Sequence, residues 1–142
     1  MVAAYFARQQ WRTAQRQAET AIDQLRFNLF EKRYAIYQGV KRLIVLTLND
    51  PFNPEFGRVA MRHNAIIDEA IFFFSPTTCQ WLETVRADCK ALREADEKSA
   101  AAGGLDLRRQ GYTDLQTKLV DHSKEMTSRF RNELSFRQLT KG

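Results

Sequence analysis

The chain is poor in residues that bridge, coordinate or break. Its 142 residues hold two cysteines, two histidines, three prolines and six glycines. Two thiols are too few for a disulfide-stapled scaffold. Cys79 and Cys89 stand ten residues apart on one expected helix, ~15 Å along its axis, and cannot bridge within it. That favours a reducing compartment. The only glycine pair, Gly103-Gly104, lacks the surroundings of a phosphate loop and reads as a helix stop. No basic n-region followed by an apolar stretch marks a secretory signal. The longest apolar runs fall far short of the ~20 residues that cross a bilayer. Acidic residues are missing altogether before Glu19.

What is present is helical pattern, aromatics and unevenly spread charge. Ten Phe, four Tyr and two Trp argue for packed interfaces. The formal charge of +5 is divided by region. Residues 1–48 hold eight Lys/Arg against three Asp/Glu, residues 49–104 six against nine, and residues 105–142 eight against five. An acidic middle between basic flanks suits antiparallel helices at least as well as a nucleic-acid surface.

The stretch from Ala4 to Leu48 has no proline and one glycine. At about 100° per residue, Trp11, Ala14, Ala18, Ile22, Leu25, Leu29, Ile36, Val40 and Leu43 share one sector. Ile22, Leu29, Ile36 and Leu43 repeat every seven residues, as in a coiled-coil seam. Phe30, Tyr37 and Ile44 make a second stripe. A continuous helix would be ~65 Å long, more than a chain of this size covers, so one end should project. The dense stripes begin at Ile22, which makes residues 1–20 the projecting part and 21–142 the bundle.

Pro51 and Pro54 should end the first helix. A second helix is expected over 55–74, with Val59, His63, Ile66, Ala70 and Phe73 on one face and a deeply buried AIFFF end. Ser75-Pro76 is a cap followed by a first helical residue, starting a third helix over 76–100. Leu82, Val85, Cys89 and Leu92 line its core face, and its charged distal half should extend past the core. The fourth helix should cover 113–139 with Leu115, Leu119, His122, Met126 and Phe130 in register. The fold class is therefore all-α: a four-helix, roughly antiparallel bundle with an over-long N-terminal helix.

Candidate chemistry is sparse. His63 and His122 lie on apolar stripes and read first as hydrogen-bonded structural residues. Their two rings approach each other if the second and fourth helices are neighbours. A di-metal bundle needs Glu-x-x-His, and here His122 precedes Glu125. Cys89 should be inert in the core. Cys79, in a first helical turn, sits where the helix field lowers a thiol pKa. No catalytic residue, metal site or cofactor is expected, and the protein is read as no enzyme.

Arg8, Arg12 and Arg16 form a stripe that can be a solvated face, a phosphate contact or a juxtamembrane segment. Arginine inside the cytoplasmic face with Tyr5, Phe6 and Trp11 at the interface fits the third reading. The stretch QWRTAQRQAETAIDQLRFNLFEKRYAIYQGVKRLI resembles a segment of small bacterial membrane-anchored helical proteins. In those, one or two transmembrane helices lead into a long helix with a pattern like that of Leu25, Leu29-Phe30-Glu31-Lys32-Arg33-Tyr34 and Ile36-Tyr37. The blocks AIFFFSPTTCQWLETVRADCKAL and SRFRNELSF are similar to later parts of the same group. The resemblance implies a preceding transmembrane anchor and a helical domain on the cytoplasmic side of the inner membrane. It implies no activity. The 142 residues depart from it in holding no such anchor.

The expectation is thus a non-enzymatic interaction domain at the inner face of a bacterial membrane. Its partners are an anionic membrane surface or that anchor, and a protein partner or a homo-oligomer. Tyr5, Phe6, Arg8, Trp11, Arg12 and Arg16 are its membrane-proximal residues. Ile22, Leu25, Leu29, Phe30, Ile36, Tyr37, Val40 and Leu43 are its packing surface. The alternative is an anion or nucleic-acid binding accessory protein of a bacterial defence or toxin system, though no nucleic-acid reading motif supports it.

Overall fold

The computed structural model describes residues 1–49, 55–101, 103 and 111–135. It is all-α, with α1 over Val2–Asn49, α2 over Phe56–Glu69, α3 over Pro76–Ala101 and α4 over Gly111–Leu134. The expected proline stop after α1 and the expected end of α4 at 139 lie outside the described residues.

Residue pairs fix the directions. Gly39 faces His63 and Ile66, and Leu43 shares a cavity wall with Phe56 and Ala60, so α2 runs back along α1. Asp68 meets Arg86 at 2.6 Å, and Arg93 lies over the Phe56 ring, so α3 runs opposite to α2. Asp88 meets His122, and Trp81 stacks edge-on to Phe130, which makes α4 antiparallel to α3. Tyr37 against Phe130 sets α4 antiparallel to α1 as well. The result is an up-down-up-down arrangement.

The core is the meeting of four apolar stripes. Ile36, Val40, Leu43 and Ile44 of α1 pack with Ile67, Ala70 and Phe74, with Leu82, Val85, Cys89 and Leu92, and with Leu119, Met126 and Phe130. Gly39 permits the close approach of α2. A Cβ there would stand 3.1 Å from His63 Nδ1 and 3.2 Å from Ile66 Cδ1.

Ser75 caps α3. Its Oγ accepts from the Thr78 amide at 3.4 Å, and its carbonyl accepts from the Cys79 amide at 3.0 Å. Gly103, at φ +80°, takes the left-handed conformation that stops a helix.

Three expectations about packing need correction. The packed part of α1 begins later than residue 21: every residue through Leu25 is exposed, and Ile36 is the first buried one. α3 starts, and the described part of α4 ends, level with Arg33, which bonds carbonyls at both places. Ile22 and Leu25, further toward the N-terminus, stay exposed. The AIFFF run is not deeply buried throughout. A single 3-10 turn over Ala70–Phe72 follows α2 and buries Ala70, while Ile71 and Phe72 point outward at 70% and 81% exposure. The distal half of α3 does not simply leave the core, since Asp96 and Ser99 are buried.

Candidate functional site

The projecting half of α1 is the least satisfied surface of the molecule. Its first 25 residues span ~38 Å of exposed helix. Tyr5, Phe6 and Trp11 are exposed, with Tyr5 and Phe6 edge to face at 6.2 Å. Arg8, Arg12 and Arg16 are also exposed and form no ion pair among the described residues. No acidic side chain stands near enough along the helix to neutralise them before Glu19.

The eight packing residues divide. Ile36, Val40 and Leu43 are buried in the core, and Tyr37 packs on its edge. Leu29 and Phe30 are half-buried, while Ile22 and Leu25 are 48% and 68% exposed. At about 100° per residue, Ile22, Leu25 and Leu29 point in the same direction as Ile36, Val40 and Leu43. The face that three helices cover at one end of α1 thus continues toward the other, half-buried at Leu29 and exposed at Leu25 and Ile22. Spacings of four, three and four from Ala18 through Ile22 and Leu25 to Leu29 are those of a heptad seam.

Arg33 marks the border between these halves, and its role is not visible in the sequence pattern. Its Nε donates to the Phe73 carbonyl at 2.7 Å, and its Nη1 donates to the Glu133 carbonyl at 2.6 Å. The guanidinium also lies 5.8 Å from the Phe74 ring. Glu133 Oε1 in turn accepts from the Ser75 amide at 3.1 Å. One side chain therefore ties α1 to the start of α3 and the end of α4. A basic residue within LFEKRY reads as solvated, because its carbonyl partners lie 40 and 100 residues away.

Above this clasp the aromatics form a chain. Phe30 stacks on Tyr34 at 5.9 Å and Tyr34 on Tyr37 at 6.0 Å. Tyr37 meets Phe130 edge-on at 5.3 Å, and Phe130 meets Phe74 at 5.0 Å. Phe30, at one end of these contacts, is half-buried beside Leu29, and Phe130 and Phe74, at the other, lie in the core.

The two histidines do not face each other. His122 Nε2 lies 2.8 Å from Asp88 Oδ2 and its ring stands edge-on to Trp81 at 5.8 Å, joining α4 to α3. His63 packs against Gly39 on α1. Burial, and then the charges of Arg42 and Arg62, hold its pKa below the usual imidazole value. Among the described residues no group of three or more His, Cys, Asp or Glu could hold a metal ion.

The expected activation of Cys79 is reversed. Burial, then Glu133 and Glu83, raise its pKa, and its thiol donates to the carbonyls of Ala70 at 3.5 Å and Phe74 at 3.7 Å. The nearby carboxylates and the desolvation outweigh the helix field. Cys89 is pushed up to about 12, chiefly by burial.

No helix among the described residues is long and apolar enough to cross a membrane. The class these observations define is an all-α four-helix bundle whose first helix runs beyond the other three. No protein-family model, curated protein or solved structure matches the chain.

Proposed function

We propose that this protein is a non-enzymatic helical interaction domain that works at the inner face of a bacterial membrane and associates with a second copy of itself. The observation that carries the reading is the continuation of the core face along α1, from half-buried Leu29 back to exposed Leu25 and Ile22. An isolated helix gains little stability from propensity alone and is normally held by packing of its apolar face. A second α1 supplies that packing through the same heptad spacing. The seam lies beside the arginine stripe rather than on it, so both surfaces can be used at once.

Toward the N-terminus the surface changes character. Tyr5, Phe6 and Trp11 are side chains suited to a membrane interface, and Arg8, Arg12 and Arg16 suit its anionic phosphates. Each such basic residue contributes about 1 kcal/mol near an anionic surface. Three of them orient the helix but hold it weakly without a further anchor.

Flotation with vesicles of phosphatidylglycerol and of phosphatidylcholine tests the membrane part. Retention on the anionic vesicles that falls with added salt and in R8Q/R12Q/R16Q is the expected result. Equal behaviour on both vesicle types would remove it. Tight, salt-dependent binding to nucleic acid without lipid preference would favour an accessory nucleic-acid binder instead.

A further inference from the structure

A second cationic surface lies on the packed body, about 55 Å along α1 from Tyr5 to Arg42 at 1.5 Å per residue. A cavity of about 180 Å³ there is lined by Arg42 of α1 and by Glu55, Arg58, Val59, Arg62 and His63 of the first turns of α2. That is too small for a drug-sized ligand but roomy enough for several waters or a compact ion.

The charges around it are unbalanced. Arg58 pairs with Glu55 at 3.6 Å. Arg42 and Arg62 have neither an ion pair nor a side-chain hydrogen bond among the described residues. Among the described residues of this wall, three guanidinium groups stand against one carboxylate, an excess of two positive charges.

The floor of the cavity supplies an independent observation. His63 is 94% buried, being 6% exposed, and forms no hydrogen bond; its Nδ1 is fully enclosed without a partner. That nitrogen is enclosed against Gly39 of α1, so the ring forms the floor of the cavity and leaves the arginines on its wall as the groups that can reach an ion. The amides of the first turn of α2 lie at the same end, where a helix favours negative charge.

We propose that Arg42, Arg58 and Arg62, on the wall above the His63 ring, form a binding site for a dianionic oxyanion of the phosphate-monoester class. A dianion matches the two surplus charges, and guanidinium forks match its oxygen geometry. An adjoining groove of about 540 Å³ shares Arg42 and His63 and is lined by Ala35, Gly39, Val45 and Ile66 on its apolar side. It leaves room for the uncharged remainder of an organic phosphate. The phosphate can belong to a soluble ester or to a phosphatidate headgroup. The site does not rest on the α1 seam or on the membrane reading.

Calorimetric titration of the full chain with inorganic phosphate, at fixed ionic strength and alkaline enough to keep the dianion, tests the site. Saturable binding of one phosphate per chain is expected, with the resonances of the His63 ring moving along the same isotherm. R42Q/R62Q should weaken it by about tenfold or more, the loss of one charge-assisted hydrogen bond. Both arginines are exposed, so this variant should keep the helical circular-dichroism signal of the parent. K124Q, which removes a distant surface charge, should bind like the parent. Absence of saturable binding, unchanged affinity in R42Q/R62Q, or an equal loss in K124Q would overturn the proposal. Flotation on phosphatidate vesicles, lost in R42Q/R62Q, would assign the phosphate to lipid; phosphate binding without flotation would assign it to a soluble ester. The I22Q/L25Q/L29Q variant should retain the site in full, which separates this test from that of the seam.

Discussion

At the scale of single residues, half-buried Arg33 and buried His63 govern how the bundle is held. Arg33 bonds two carbonyls from different parts of the chain. Replacing it with methionine leaves both acceptors short of a donor and should cost roughly 2–3 kcal/mol, read as a lower urea midpoint. Lysine should recover only part of this, because an ammonium lacks the planar fork that reaches both carbonyls. His63 governs the response to acid. Its pKa is depressed in the folded state by burial and by Arg42 and Arg62. The unfolded chain therefore binds the extra proton first, and stability falls as pH drops through the ordinary imidazole value of ~6.5. Above that value both states are neutral there and its effect is absent. The H63Q variant should show a flatter dependence of the urea midpoint between pH 7.5 and 5.5, in the order of the one proton removed. A third position, Gly39, controls helix approach. Leucine there would meet the His63 ring and Ile66 and should destabilise by roughly 1–3 kcal/mol, measured by thermal melting.

At the scale of elements, the helices were legible because period and punctuation agree. Nine apolar residues in one sector of α1, the Ser75-Pro76 start of α3 and the Gly103 stop each have a local physical cause. Where a face finds its partner was less legible. Ile22 and Ile36 are alike in a helical wheel, yet one is exposed and the other buried. The difference lies in where α3 begins and α4 ends against α1, set by contacts distant in sequence. Ile71 and Phe72 were misplaced for a similar reason, because a 3-10 turn rotates the chain out of the helical period there. The thiol of Cys79 depends first on its burial and then on Glu133, 54 positions on, so its raised pKa could not be read from its place in α3. The division of α1 also makes a prediction. I22Q/L25Q should leave the urea midpoint of the bundle little changed, within roughly 0.5 kcal/mol, as for other substitutions at exposed positions, and adding half-buried L29Q should lower it further without ending cooperative unfolding. The same substitutions at Ile36, Val40 and Leu43 should abolish cooperative unfolding, since buried amides would lack partners.

For the whole molecule, the organisation is a body and a reach. The body is the four-helix part, closed by the Arg33 clasp at one end and carrying the cationic cavity on its α1–α2 side. The reach is the N-terminal half of α1, which extends the core face without covering it. The sequence indicated this division through its charge and aromatic placement, but not its position, which the meeting of three helices at Arg33 decides. The central claim is that the uncovered seam is a self-association surface. Light scattering of the full chain and of I22Q/L25Q/L29Q across a concentration series measures it most directly. The parent should move from one to two chains as concentration rises while the triple variant stays at one chain. A parent mass of one chain throughout, or an unchanged two-chain mass in the variant, would contradict it.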